Sequence, residues 1–424
     1  MNIAELHKYF LAFPIACTDT RKIEEGCIFF ALKGANFNGN TYAQEALKKG
    51  AAYAVVDEAA YDTSEKTLLV DDVLEALQSL GTFHRNYCKA RVISLTGSNG
   101  KTTTKELIYA VLSKKYKTIA TYGNLNNHIG VPLTLLTIQP STEFAIVEMG
   151  ANHKKEIAFL CELAQPDFGY ITNFGKAHLE GFGGTEGVIE GKSELYDYLT
   201  THNKYIFLNA DDPIQEDKLS KYIKKFGYST HQQKYYPIQF LSADPFVQLG
   251  VEDTKINSQL IGKYNFTNCC AAVLIGKYFN VSLEAIANAI ANYIPENNRS
   301  QLIEQHGNQI ILDAYNANPS SMKAALENFK AMSGVSKTVF LGDMFELGDT
   351  AAQEHQEIAD LVNSMAFDTA YLVGVNFNNT TTSLATFANY ETLAAHLKTH
   401  NPPKSTILIK GSRGMALERL LEIL

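Results

Sequence analysis

No run of 18 or more apolar residues occurs in the chain, so it offers no candidate membrane span. Nor is there an excess of positive charge. Lys and Arg number 37 against 45 Asp and Glu, a formal charge of −8, which gives phosphate backbones and anionic lipid nothing to attract. Nucleic acid is therefore not an expected partner. The six cysteines, Cys17, Cys27, Cys88, Cys161, Cys269 and Cys270, include no C-x-x-C pair. In a chain long enough to bury its own core, that scatter predicts reduced thiols and a cytoplasmic location. Met1 to Phe10 carries Glu5, His7 and Lys8 before any apolar run, which predicts no export signal. Internal repeats are missing too, and only Asn376 to Ser383 approaches low complexity, as a surface loop would.

What is present is ordinary globular usage, 46% hydrophobic and 19% charged, over 424 residues, enough for two to three domains at about 150 residues each. Short apolar runs alternate with helical stretches from Met1 to Cys88, and a helix over Tyr42–Lys49 should stop at Gly50. From Arg91 the rhythm strengthens. Strands are predicted at Arg91–Leu95, Thr118–Thr121, Phe144–Met149, Tyr170–Thr172 and Tyr205–Leu208, with helices at Thr103–Ser113, Lys154–Leu163 and Thr185–Leu199. Such alternation implies an α/β fold with a central doubly wound, mainly parallel sheet. The pattern turns irregular and strand-like over Gln232–Leu260. Helices at Asn265–Phe279 and Leu283–Asn292 then lead to Pro295-Glu296-Asn297-Asn298, a linker by composition. Strands at Gln309–Leu312, Thr338–Leu341, Thr369–Val373 and Thr406–Ile409 follow. The expectation is three α/β domains, 1–88, 89–297 and 298–424, with smaller domains on either side of the central one.

Strand Arg91–Leu95 runs into Thr96-Gly97-Ser98-Asn99-Gly100-Lys101-Thr102-Thr103 and then a helical segment. Glycines let backbone N–H groups curl around a phosphate, the helix turns its positive end toward it, and a lysine neutralises its outer oxygens. The Thr102 hydroxyl suits Mg²⁺. Gly97 and Gly100 enclose two residues where the general loop has four, but strand, glycine turn, Gly-Lys-Thr and helix all stand in order. The segment predicts ATP or GTP binding and says nothing of the reaction. Glu148 ends an apolar strand and His178 lies in a loop beyond another, where open α/β sheets gather ligands. Taken singly, Glu148 reads as a helix cap, His178 as a hydrogen-bonded loop histidine and Lys192 as a solvated helix lysine.

Taken together, several segments resemble the Mur ligase family of ATP-dependent amide-forming enzymes. They are the loop Thr96 to Glu106; Gly123-Asn124-Leu125-Asn126-Asn127-His128-Ile129-Gly130-Val131-Pro132; Glu148-Met149-Gly150-Ala151-Asn152; Ala177-His178-Leu179-Glu180-Gly181-Phe182-Gly183; Asp313-Ala314-Tyr315-Asn316-Ala317-Asn318-Pro319; Leu341-Gly342-Asp343-Met344-Phe345-Glu346-Leu347-Gly348; and Lys410-Gly411-Ser412-Arg413-Gly414. The similarity spans nearly the whole chain. The fifth and sixth segments resemble the member that adds D-alanyl-D-alanine to UDP-N-acetylmuramoyl-tripeptide. Two other ligases of the superfamily, the diamino-acid-adding and folate polyglutamate types, and a non-catalytic nucleotide switch are the alternatives.

The resemblance implies roles. Gly97, Ser98, Asn99, Gly100, Lys101, Thr102 and Thr103 would bind ATP phosphates, Asn265 and Asn268 the adenine side, and Arg299 and Asp313 phosphate and ribose. Thr102 and Glu148 would hold one Mg²⁺, and His178 and a carbamylated Lys192 a second. Lys101, Glu148, His178 and Lys192 would thus be the catalytic set. Thr20, Arg21 and Lys33 would receive the uridine diphosphate end, while Asn126, Asn127, Asn316, Asn318, Ser412 and Arg413 would face the remaining substrate. An acyl-phosphate intermediate, a monomeric state and a third domain that closes as a lid are also implied. Tyr264, Asn298 and Asn40 depart from the family pattern, which has histidine, glycine and histidine at those positions.

Overall fold

The computed structural model describes every residue of the chain except Asn297, Val335 and Asn401. Three α/β units follow one another, each with its own mainly parallel sheet. The first orders its strands Ala16–Cys17, Ile28–Phe30, Tyr53–Val56 and Thr67–Leu69. The strand interiors are fully buried, and the helix Val73–Cys88 packs on them through Val73, Leu77 and Leu80. Asn40, one of the three departures, is a buried brace here. Its Nδ2 donates to Asp57 Oδ1 at 2.8 Å, and its Oδ1 accepts from Asp57 N at 3.0 Å.

The central sheet has seven parallel strands in the order Tyr236–Pro237, Lys225–Ser229, Tyr205–Asn209, Phe168–Ile171, Arg91–Thr96, Phe144–Glu148, Thr118–Ala120. Strand Arg91–Thr96 lies between partners reached in opposite directions, Phe144–Glu148 on one side and Phe168–Ile171 on the other. That reversal opens a crevice at the carboxyl ends of the strands, where ligands of doubly wound sheets collect. The glycine loop, Glu148 and the His178 loop all leave the sheet there. The irregular stretch resolves into an antiparallel sheet of Gln239–Ala243, Phe246–Val251 and Thr254–Ile261, packed on the helices Asn265–Tyr278 and Leu283–Ala291.

The third sheet runs Gln301–Gln305, Asn308–Asp313, Thr406–Lys410, Lys337–Gly342, Thr369–Val373, Ala385–Phe387, antiparallel only at its first pair. One buried apolar cluster joins this unit to the central one, from Val92, Ile157 and Leu179 to Leu326, Met344 and Leu347. The predicted Asn376–Ser383 surface loop needs correction. It opens inside the one-turn helix Val375–Asn378, where Phe377 is buried, because Asp343 accepts from the N–H groups of Asn376 and Phe377. The boundary expected after Asn297 falls outside the described residues. No helix among the described residues is long and apolar enough to cross a membrane.

Candidate functional site

The glycine loop carries the helix Lys101–Leu112, which begins two residues earlier than predicted. Gly100, at φ +77°, forms its N-terminal boundary, and the phosphate-loop lysine sits in the first turn. A Cβ on Gly100 would lie 2.6 Å from Asn268 Oδ1, and one on Gly97 (φ +144°) 1.9 Å from Thr172 Oγ1, so neither position has room for a side chain. The loop is braced from outside. Asn99 N donates to Asn173 Oδ1 (3.1 Å), the Asn99 carbonyl accepts from Thr172 Oγ1 (2.6 Å), and Ser98 Oγ donates to the Gly175 carbonyl (2.7 Å). Lys101 Nζ folds back onto the Gly97 carbonyl at 2.7 Å, inside the curl that a phosphate would enter. Burial and the neighbouring Arg299 lower its pKa, while Glu148 opposes them.

Glu148 is not a helix cap. It ends its strand buried at 1% exposure, with Oε1 accepting from Asn126 Nδ2 at 2.8 Å. Its Oε2 has no hydrogen-bond partner, and the buried Lys105 ammonium stands 3.8 Å away. An orphaned, buried carboxylate oxygen beside the phosphate loop is suited to a hard cation such as Mg²⁺, which takes one or two protein oxygens and completes its shell with phosphate and water. Among the described residues, no group of three or more His, Cys, Asp or Glu side chains is placed to hold a metal ion.

The reading of Lys192 as a solvated lysine is wrong. Its side chain is 0% exposed, donates to the Ala151 carbonyl at 3.0 Å and lies 4.9 Å above the Phe182 ring. Helix Thr185–Thr201 turns this position inward toward the strand ends. Burial, reinforced by the Lys101 charge, pushes its pKa well below the lysine range. An amine whose burial favours its neutral form keeps a lone pair available as a nucleophile or base. His178, at φ +53°, pairs through Nδ1 with Glu346 of the third unit and holds the Glu346 carboxyl below its ordinary range.

A cavity of about 640 Å³ is lined by the loop, Glu148 and His178 on one side and by Arg299, Asp313 and Lys410 on the other. Arg299 lies 3.7 Å over the Tyr315 ring. Asp313 accepts from Ser300 N (3.2 Å) and from Lys410 Nζ (2.6 Å), a partner that sequence reasoning missed because parallel register alone sets residue 313 opposite residue 410. Tyr264, the second departure, bonds through its hydroxyl to Ser300 Oγ at 2.8 Å.

Other expected residues are engaged within the protein. Asn265 Nδ2 donates to the Ile261 carbonyl and its Oδ1 accepts from Asn268 Nδ2, whose Oδ1 accepts from Thr104; both still line the cavity. Asn318 caps helix Pro319–Ala331 and donates to Asn99 Oδ1 at 2.7 Å, tying the third unit to the loop. Asn127 Oδ1 accepts from Ile129 and Gly130 N–H groups, Asn316 Oδ1 from Ala317 N, and Ser412 Oγ from Phe345 N. Arg413 is exposed beside Tyr315. Thr20, Arg21 and Lys33 lie outside this cavity, with Arg21 clamped on Asp19 at 2.8 Å and Lys33 on Asp57 at 3.0 Å.

With that geometry in hand, comparison with known proteins is informative. Residues 15–85 match the profile described as Mur ligase family, catalytic domain, residues 95–276 that of the Mur ligase middle domain, and residues 298–413 that of the Mur ligase, glutamate ligase domain. The chain is 36% identical over 448 residues to the UDP-N-acetylmuramoyl-tripeptide--D-alanyl-D-alanine ligase of Bacillus subtilis (strain 168), covering 99% of this chain and 97% of that one. Its fold is similar to that of MurF ligase from Thermotoga maritima solved in complex with ADP, at TM-score 0.85 and 25% identity with 97% of both chains covered. It is also similar to the UDP-N-acetylmuramoylalanyl-D-glutamyl-2,6-diaminopimelate--D-alanyl-D-alanyl ligase of Acinetobacter baumannii, at TM-score 0.80 and 29% identity over 96% and 92% of the two chains. Likeness that extends from end to end, through all three units in the same order, leaves one conclusion: the chain belongs to the Mur ligase family.

Proposed function

We propose that this protein joins D-alanyl-D-alanine to UDP-N-acetylmuramoyl-tripeptide, with cleavage of ATP to ADP and phosphate. One observation carries the reading: a single cavity is faced by a phosphate loop from the central unit and by Arg299, Asp313 and Lys410 from the third. An amide cannot form from a free carboxylate and an amine at neutral pH without activation. The terminal carboxylate of the tripeptide attacks the γ-phosphorus, ADP leaves, and an acyl phosphate results. The amine of D-alanyl-D-alanine then adds to that carbonyl, and the tetrahedral adduct expels phosphate.

The loop N–H groups and Lys101 bind the phosphates and neutralise charge as it moves onto the leaving oxygen. Arg299 adds a second positive group from the opposite wall. Asp313, fixed by Lys410 and Ser300, offers its carboxylate to a ribose hydroxyl. Asn99 and Asn318 draw the third unit over the loop and exclude water from an acyl phosphate that would otherwise hydrolyse. Thr102 and Glu148 would hold one Mg²⁺, and His178 with a carbamate on Lys192 would hold a second. Bound there, magnesium supplies charge neutralisation at the phosphate oxygens. Thr20, Arg21 and Lys33 would take the uridine diphosphate end, and Asn126, Asn127, Asn316, Ser412 and Arg413 would border the peptide and dipeptide. A cytoplasmic location belongs to the same reading, since all six cysteines are buried free thiols, and so does a monomeric state.

The test is ADP formation with each precursor, with and without D-alanyl-D-alanine. Strong stimulation only by that dipeptide, and only with the tripeptide precursor, is expected. ADP release indifferent to the dipeptide would reject the assignment.

A further inference from the structure

Arg299 and Lys101 line one cavity from different units, and the Arg299 charge reaches Lys101 strongly enough to lower its pKa. Two cations on one cavity repel, so the position of Arg299 has to be set by the chain that carries it. Contact with the Tyr315 ring at 3.7 Å steadies the guanidinium within the third unit, but does not fix where it stands relative to Lys101.

On either side of Arg299 a tyrosine hydroxyl marks the chain's attachment to its surroundings. On the entering side, Tyr293 follows the helix Leu283–Ala291, and its hydroxyl donates to Glu106 Oε2 at 2.5 Å across 187 residues of sequence. Burial and the Glu106 charge raise the tyrosine pKa, so the phenol keeps its proton and is the donor. On the leaving side, Tyr264 bonds Ser300 Oγ at 2.8 Å, and Ser300 N donates to Asp313 Oδ1 at 3.2 Å. Ser300 stands at φ +51°, a left-handed backbone that a serine holds where surrounding contacts impose it.

Glu106 lies on the helix Lys101–Leu112, five positions beyond the phosphate-loop lysine and about 7.5 Å along the same helix axis. Its other oxygen is 3.8 Å from the buried Lys105 ammonium. Neither Tyr293 nor Glu106 lines the cavity. The bond between them therefore lies outside the nucleotide site, yet it refers the chain leading to Arg299 to the helix that carries Lys101.

Resting on the assignment of Arg299 to the ATP phosphates, we propose that Tyr293 is a positioning residue: its hydrogen bond to Glu106, with the Tyr264–Ser300 bond on the other side, sets Arg299 on the cavity wall in advance of ATP. Without the Glu106 bond, ATP must order this stretch of chain as it binds, and affinity falls by the cost of that ordering. Without Arg299 the same ordering gains nothing, and the Tyr293 hydroxyl stops mattering.

The experiment measures the affinity of the full-length protein for a fluorescent ATP analogue in a cycle of Tyr293→Phe and Arg299→Met, with urea midpoints as a check on folding. Tyr293→Phe alone should weaken binding by about threefold to tenfold, the worth of one hydrogen bond. In the Arg299→Met background it should change binding by less than about twofold. Glu106→Ala removes the bond from the other side and should repeat the loss, whereas Glu106→Gln keeps an acceptor and should retain most of the affinity. Unchanged affinity in Tyr293→Phe overturns the proposal. So does the same loss with and without Arg299, which would make the bond a support of the phosphate-loop helix alone. Binding by Arg299→Met as tight as the wild type's would instead reject the role given to Arg299, and the proposal with it.

Discussion

Replacing Lys410 by methionine keeps most of the side-chain volume and removes one charge from a pair that strand register brings together across 97 residues of chain. Lys410 is 2% exposed and the Asp313 side chain 16% exposed, so the carboxylate left behind stays largely out of water. Breaking a buried pair from one side costs about 3–5 kcal/mol. Asp313 keeps the Ser300 N–H at 3.2 Å and some solvent, which places the expected loss nearer 2–3 kcal/mol. The double variant Asp313→Asn, Lys410→Met leaves no charge uncompensated and should lie within about 1 kcal/mol of the wild type. The chain has no tryptophan, so urea unfolding of the full-length protein is followed by circular dichroism. A fluorescent ATP analogue reports binding in parallel, and both variants should bind it more weakly, because each disturbs the proposed ribose contact. The reasoning fails if the single variant unfolds at the wild-type urea concentration, or if the double variant is less stable than the single one.

Lys192→Ala should abolish turnover, with partial recovery on adding short-chain carboxylic acids; full activity without any additive would remove the carbamate. In the first unit, the Ile138 carbonyl can only accept from His84 Nε2, at 2.7 Å, so with a neutral His84 ring its Nδ1 accepts from His7 Nε2 at 3.0 Å. Burial holds both pKa values below the ordinary 6.5. Only the unfolded chain then takes up protons as pH drops through 6.5, and stability should fall by up to about 1.4 kcal/mol per pH unit for each ring. Urea midpoints measured from pH 7.5 to 5.5 should slope less in His84→Gln than in the wild type, and equal slopes would refute the pairing. Glu354, buried and paired with Lys176 at 2.7 Å, clamps the third unit onto the loop that carries His178. Glu354→Gln should enlarge the radius of gyration of the nucleotide-bound protein in small-angle scattering, whereas an unchanged radius would show that the apolar contacts alone hold the units together.

Much was legible in the sequence because it is written locally. Alternating apolar runs and helical stretches report which faces are buried, and Gly97, Gly100 and Lys101 carry their backbone and charge requirements within a few residues. The α/β class, the central parallel sheet, the phosphate loop and the strand-end position of Glu148 followed from that alone. Helix starts at Thr185, Asn265 and Leu283 were legible too, but the one after the glycine loop was not. Lys101 enters its helix two residues early because Gly100 caps it through a left-handed conformation that propensity does not register.

What the tertiary structure alone decided are the properties that depend on distance in space between residues remote in the chain. Lys192 reads as a surface lysine until the packing of its helix against the strand ends removes it from water. Asp313 finds Lys410 only when two strands align in register, and Asn99 meets Asn318 only when two units close on each other. Periodicity encodes which residues face inward but not what they meet there, because the partner across a sheet or a domain boundary is chosen by topology and register rather than by neighbours along the chain.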